Sequence, residues 1–146
     1  MHIPKPLRAY EKPTLLAVCD NEHARFFLLL DRELTESGEI HVDHASKDGN
    51  DRTSGVTSGG GHFAVTNENL EDQSEQHFAR LLARELQRRL QVKEFENLIM
   101  TVPEPRINEF VDGLHNDVRA RLVLTLGKTL TKEPILEVLE RIQKTA

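Results

Sequence analysis

The sequence predicts an α/β domain, rich in strands in its first half and alternating helix with strand in its second. Three observations carry this. Apolar runs of strand length follow one another closely between Leu15 and Ala45. Two later runs, Leu98–Val102 and Arg121–Leu126, are each stopped by a breaker, Pro103 and Gly127. The stretches around those later runs carry apolar residues at helical spacing. A chain of 146 residues suits one domain with one sizeable core. A composition of 38% hydrophobic and 29% charged residues is ordinary for such a domain.

Each element follows from its residues. Leu15-Leu16-Ala17-Val18-Cys19 is continuously apolar up to Asp20, the pattern of a strand covered on both faces. Asn21-Glu22 supplies a turn, and Ala24–Leu30, with Phe26, Phe27, Leu28 and Leu29, supplies a second strand at hairpin distance. Ser37-Gly38 reads as the next turn. Glu39–Ala45 reads as a third strand, with Ile40 and Val42 on one side and His41 and Asp43 on the other. Residues 47–69 are rich in Gly, Ser, Thr, Asn and Asp without an apolar period, which predicts a long mobile loop. A strong helix follows. Asn69 or Asp72 caps it, Glu71, Asp72 and Glu75 suit its positive end, and Phe78, Leu81, Leu82, Leu86 and Leu90 form its apolar stripe. Leu98–Val102 is the fourth strand. Ile107, Phe110, Val111, Leu114 and Val118 mark a second helix, and Arg121–Leu126 is the fifth strand. Thr131 caps a last helix that tolerates Pro134 in its first turn and turns Ile135, Val138, Leu139 and Ile142 to the core.

The order β-β-β-α-β-α-β-α, with right-handed crossovers, sets strands four and five parallel beside an antiparallel meander. That is a ribonuclease-H-like layout: a mixed five-stranded sheet with three main helices. Pro4, Pro6 and Pro13 make residues 1–13 read as a flexible N-terminal extension to a single domain over 14–146.

Composition bounds the function. No apolar run approaches the length of a membrane span, and the first residues lack the apolar stretch of a secretory signal, so a cytoplasmic protein with no membrane partner is expected. A net charge of −5 argues against nucleic-acid binding by the whole surface, while a local basic face is compatible with it. The single cysteine, Cys19, excludes an intramolecular disulfide and sits in an apolar run, where it reads as an inert buried thiol.

Several constellations could carry chemistry. Ser58-Gly59-Gly60-Gly61-His62 frees the backbone to expose amide N–H groups, which could be presented to a developing oxyanion in a narrow site. The bland reading is a solvated linker. Arg80, Arg84 and Arg88 recur every four residues on one helix face, with Arg89 beside them, an arrangement that could grip phosphates. The bland reading there is a solvated helix face with Glu85 and Gln87 nearby. Asp20, Glu104 and Glu75 could converge in a ribonuclease-H-like layout to hold two magnesium ions, which makes a magnesium-dependent nuclease one alternative. Asp20 equally suits a turn and Glu75 a helix start. His41 and His44 point to opposite faces of a strand, and His62 and His77 complete no zinc pattern, so neither a metal site nor a cofactor is expected. Gly127-Lys128-Thr129 mimics the end of a P-loop, but Leu122 stands where its first glycine would be.

Four segments carry a family resemblance: Asp20-Asn21-Glu22-His23-Ala24-Arg25-Phe26-Phe27, Gln76-His77-Phe78-Ala79-Arg80-Leu81-Leu82-Ala83, the run from Phe95 to Pro103, and Leu126-Gly127-Lys128-Thr129-Leu130-Thr131. From Leu15 onwards they resemble the bacterial family of proteins required for attachment to host cells, with Thr129 in place of that family's usual Asp. That family in turn is similar to the middle domain of archaeal and eukaryotic class-one peptide chain release factors. Those carry a Gly-Gly-Gln loop before a basic helix, and the loop promotes hydrolysis of the peptidyl-tRNA ester in the ribosome. The resemblance implies a ribosome- or RNA-associated factor. Gly60, Gly61 and His62 would be its catalytic tip, Arg80, Arg84, Arg88 and Arg89 its RNA-binding residues, and the ribosome, rRNA or tRNA its partner. His62 stands in place of Gln, so a catalytic role would pass through a backbone amide or be lost. The resemblance covers a middle domain alone, so stop-codon reading is not expected of it. The family label implies an alternative, a host-attachment-related protein-interaction module without catalysis.

Overall fold

The computed structural model describes residues 1–42 and 67–145. Its sheet has five strands: β1 (Tyr10–Cys19), β2 (His23–Asp31), β3 (Glu33–His41), β4 (Asn97–Thr101) and β5 (Leu122–Leu126). They lie in the order β3-β2-β1-β4-β5. β1–β2 and β2–β3 are antiparallel, and β1–β4 and β4–β5 are parallel. The helices are α1 (Asn67–Gln91), α2 (Ile107–Asp112), α3 (Asn116–Arg119) and α4 (Ile135–Thr145). The mixed sheet and its parallel second half are those the sequence predicts. No helix among the described residues is long and apolar enough to cross a membrane.

Central β1 explains the two layers of helices. Leu15, Leu16, Ala17, Val18 and Cys19 are all fully buried, and their side chains alternate between two cores. Leu15, Ala17 and Cys19 join Phe26, Phe78, Leu82, Leu86, Met100 and Phe110 under α1, α2 and α3. Leu16 and Val18 join Phe27, Leu29, Ile99, Val138, Leu139 and Ile142 under α4. At about 1.5–3 kcal/mol for each large apolar side chain buried, neither face could be left to water.

The structure departs from the sequence reading in five places. Residues 1–13 are not a loose extension. Ile3 is fully buried in the second core, the Met1 amino group donates to the Leu34 carbonyl at 2.7 Å, and β1 already begins at Tyr10. The prolines leave carbonyls without a ladder, and Arg32 Nη1 donates to two of the segment's carbonyls, Ile3 at 2.9 Å and Leu7 at 2.8 Å. Next, the turn before β3 lies at Asp31-Arg32, with Asp31 at φ 54°, and not at Ser37-Gly38. Ser37-Gly38 is a bulge within β3, between the Phe27↔Glu36 and Arg25↔Glu39 pairs, where Gly38 adopts φ 101°. Glycine marked a break in the ladder and not a reversal of the chain.

The predicted second helix is two short ones, α2 and α3. His115 caps the latter, its Nδ1 accepting from the Asp117 N–H at 3.2 Å. Phe110, Leu114 and Val118 stay buried on one side across the break, so their spacing hid it. Finally, α1 starts at Asn67, inside the span read as loop, and the Thr131 hydroxyl donates to Asp20 Oδ2 at 3.2 Å while α4 begins only at Ile135. Residues 47–66 of the expected loop lie outside the described residues.

One side chain ties α1 to the sheet. Arg89 is 6% exposed. Its Nε donates to Glu85 at 2.7 Å, its Nη1 to Ser37 Oγ at 2.7 Å and to Glu94 at 3.0 Å, and its Nη2 to the Ser37 carbonyl at 2.7 Å. The guanidinium stacks on Phe26, 4.4 Å from the ring centroid. The β3 bulge opens the Ser37 carbonyl to this fork. Arg89→Ala is expected to lower the unfolding free energy by about 2–3 kcal/mol in urea titrations, below the roughly 3–5 kcal/mol of a wholly buried pair because both acids touch water. Arg89→Lys should recover little of it, since an ammonium cannot reproduce the fork. Wild-type stability in Arg89→Ala would show that the network is idle.

Candidate nucleic-acid interface

α1 has two faces of opposite character. Phe78, Leu82 and Leu86 are buried against the sheet, and Arg80, Arg84 and Arg88 are exposed on the far side. Steps of four residues turn about 400° on a helix, so the three arginines form one shallowly winding row. They differ in availability. Arg88 holds Glu85 in a fork, Nε to Oε1 at 3.2 Å and Nη2 to Oε2 at 2.8 Å. Among the described residues no acid pairs with Arg80 or Arg84. Glu85 is held below the usual carboxylate value, chiefly by the hydrogen bond from Arg88 and further by Arg89. It therefore remains an anion that partly cancels Arg88.

Arg89, grouped with this row in the sequence reading, faces the other way and is consumed by the α1–β3 network. It follows Arg88 directly, and one helical residue is a turn of about 100°. His77 is the addition. It lies three residues before Arg80, half-buried, and its pKa falls below 6.5, first through desolvation and then through the charges of Arg80 and Arg84. The basic site is thus Arg80 and Arg84, with His77 at one end and a partly neutralised Arg88 at the other. The sequence did hold the signal for His77, its helical spacing from Arg80, but the residue reads there only as a poor metal ligand.

The remaining candidates separate. Gly60, Gly61 and His62 lie outside the described residues. Asp20 is engaged, its Oδ1 accepting from the Glu22 N–H at 2.8 Å and its Oδ2 from Thr131. Glu104 packs its Cβ and Cγ towards Gly127. Among the described residues no three His, Cys, Asp or Glu side chains gather as metal ligands. Cys19 is buried, and burial together with the neighbouring Asp20 pushes its thiol far up. Gly127-Lys128-Thr129 ends a strand that touches Ile107 and is followed by a turn, with α4 only at Ile135, so it forms no phosphate loop.

Sequence comparison matches residues 13–142 to the family described as bacterial archaeo-eukaryotic release factor family 12. No curated protein matches the sequence. Among solved structures, the archaeal translation termination factor aRF1 resembles the chain with a TM-score of 0.51 at 14% identity, covering 91% of this chain and 38% of that one. An archaeal protein follows at 0.48 and 11%, with coverage of 91% and 38%. Dom34 of S. cerevisiae, a translation termination-like factor involved in RNA quality control pathways and interacting with Hbs1, gives 0.43 and 10%, with coverage of 90% and 36%. The chain therefore spans less than two-fifths of the length of these proteins. The likeness to aRF1 is one of fold and agrees with the release-factor middle domain expected from the sequence; the matching family's description says nothing of attachment to host cells. The match over 13–142 covers most of the sequence, and the chain belongs to bacterial archaeo-eukaryotic release factor family 12.

Proposed function

We propose that this domain is a translation factor that binds ribosomal or transfer RNA through the outer face of α1 and offers Gly60-Gly61-His62 to the peptidyl-tRNA ester. The observation that carries the binding part is the exposed pair Arg80 and Arg84, opposite the buried leucines and, among the described residues, without acids to neutralise it. Two guanidinium groups one helical turn apart can each take a phosphate oxygen of an RNA backbone, which holds register without reading sequence. Family membership supports the translational setting. The catalytic part follows from the chemistry of the tip. Two glycines let the backbone turn its N–H groups inward, and a positioned N–H can stabilise the oxyanion that forms as water attacks the ester. His62, standing where a release factor has Gln, contributes its own amide to that set.

Three outcomes test the proposal. Arg80→Glu with Arg84→Glu is expected to abolish co-sedimentation with ribosomes at low salt while leaving the urea midpoint unchanged. The milder Arg80→Ala/Arg84→Ala should reduce the slope of log affinity against log salt by roughly 1.5–2, the share of two phosphate contacts. Unaltered co-sedimentation would remove α1 from the interface.

Binding should also depend on pH in a definite direction. Phosphates on Arg80 and Arg84 would offset the positive charges that help to hold His77 low, so the complex takes up a proton and affinity rises as pH falls from 7.5 to 6. The expected gain is modest, below about threefold, because His77 is only partly protonated at pH 6. It should vanish in His77→Gln, measured by fluorescence anisotropy on a labelled RNA hairpin.

Catalysis predicts release of labelled peptide from ribosome-bound peptidyl-tRNA. Gly60→Ala/Gly61→Ala should cut the rate by about a hundredfold or more, the scale of a lost oxyanion donor, with ribosome binding intact. No release by the wild-type chain at high concentration would end the catalytic reading and leave a binding module.

A further inference from the structure

The sheet has two edges, and only one is protected. β3 carries Glu33, Glu36 and Glu39 and is interrupted by the Ser37-Gly38 bulge, features that discourage another strand from pairing. β5 carries Leu122, Val123, Leu124, Thr125 and Leu126, with no charge, and none of the five is fully buried. Val123 is 58% exposed. It is the extra residue of a bulge, since Leu98 pairs with Leu122 and Ile99 with Leu124. Its side chain borders a pocket of about 300 Å³ with Tyr10, Ile99, Leu124 and Ile142. Past the bulge the ladder is regular, with Met100 opposite Thr125 and Thr101 opposite Leu126. The Leu126 carbonyl accepts from the Val102 N–H at 3.0 Å, so the N–H and C=O of Thr125, one residue earlier, turn away from β4. Among the described residues no strand lies beyond.

Arg8 supplies the chemistry of the occupant. Among the described residues it is the only charged one that lines the pocket. Gln143 fixes its backbone, accepting from the Arg8 N–H at 2.7 Å and donating to the Arg8 carbonyl at 3.0 Å, and also donates to the Tyr10 hydroxyl at 3.2 Å. The guanidinium itself makes one long bond, 3.4 Å to the Gln143 carbonyl, and no acid pairs with it among the described residues, although Glu137 and Glu140 line an adjoining groove with it beside Lys5 and Lys144. Arg121 and Lys128, which bracket β5, are likewise without acid partners there, although Glu104 abuts Gly127 and Asp117 borders one groove with Arg121.

We propose that β5 and this pocket are a docking strip for an extended segment of a partner protein, which pairs with β5, seats one large apolar side chain in the pocket and sets a carboxylate on Arg8. This is recognition by strand addition, in which backbone pairing gives affinity and the pocket gives selectivity. An RNA strand would not suit a rim that is mostly apolar. A second copy of the chain fits poorly too, because antiparallel β5–β5 pairing brings Arg121 of one copy to Lys128 of the other. The pocket lies on the side of the second core, beside α4, while the arginine row stands on a helix of the first, so partner and RNA can bind together.

The test is a selection of random eight-residue peptides displayed on phage against the full chain, at physiological salt. The expected winners alternate apolar residues and carry an aspartate or glutamate. A synthetic winner should protect the Thr125 amide from hydrogen exchange. Val123→Lys should weaken it at least tenfold, and Arg8→Glu should switch the selected charge from acidic to basic; both changes are on the surface, and unaltered melting curves confirm folding. The proposal is overturned if nothing is enriched, if the acidic preference survives Arg8→Glu, or if protection appears elsewhere. It is equally overturned if the chain alone gains Thr125 protection with concentration as it dimerises in sedimentation.

Discussion

Burial of β1 on both faces is the constraint from which the rest of the architecture follows. Five consecutive apolar residues, Leu15 to Cys19, cannot be satisfied by helices on one side only. The chain answers with α1, α2 and α3 on one face and α4 on the other, and with strands on either flank that satisfy the backbone of β1. The change from antiparallel to parallel pairing also occurs at β1. The second half can only extend the sheet on the β4 side through helical crossovers, because β2 occupies the other side. A helix lying across the first face must bury one stripe and expose another. The cationic row on α1 is therefore a by-product of the same packing, available for use wherever its charges are not met by acids.

Much of this was legible in the residues, for physical reasons that differ by element. A strand buried on both faces has no polar alternation to confuse the reading, so Leu15–Cys19 and Leu98–Val102 are seen directly, and α1 and α4 declare themselves by long apolar stripes. β3 was displaced in the reading because it is an edge strand with mostly polar exposed residues. Its glycine sits at a bulge, and local chemistry does not separate a bulge from a turn. The N-terminal segment was misread because its order comes from residues far along the chain, Arg32 and Leu34, which no local pattern announces.

The site was legible as a set and not as individuals. Spacing alone places Arg80, Arg84 and Arg88 on one face, and they share it. Arg89 was grouped with them by adjacency, yet its side chain is claimed by Phe26, Ser37 and Glu94, and three-dimensional partners of that kind have no sequence spacing. The difference between Arg84 and Arg88 likewise depends on where the Glu85 carboxylate turns. What decides a phosphate-binding arginine is its lack of a prior engagement, and that is a property of the folded surface.

Cys19 turns the central constraint into an instrument. The chain's lone thiol closes β1, wholly buried, and carries a proton that its surroundings hold firmly. A disulfide reagent or maleimide can therefore modify only those molecules whose innermost strand has swung open. The labelling rate of the unmodified protein would time that breathing without any engineered probe, and a ligand that braces either layer would lengthen the interval.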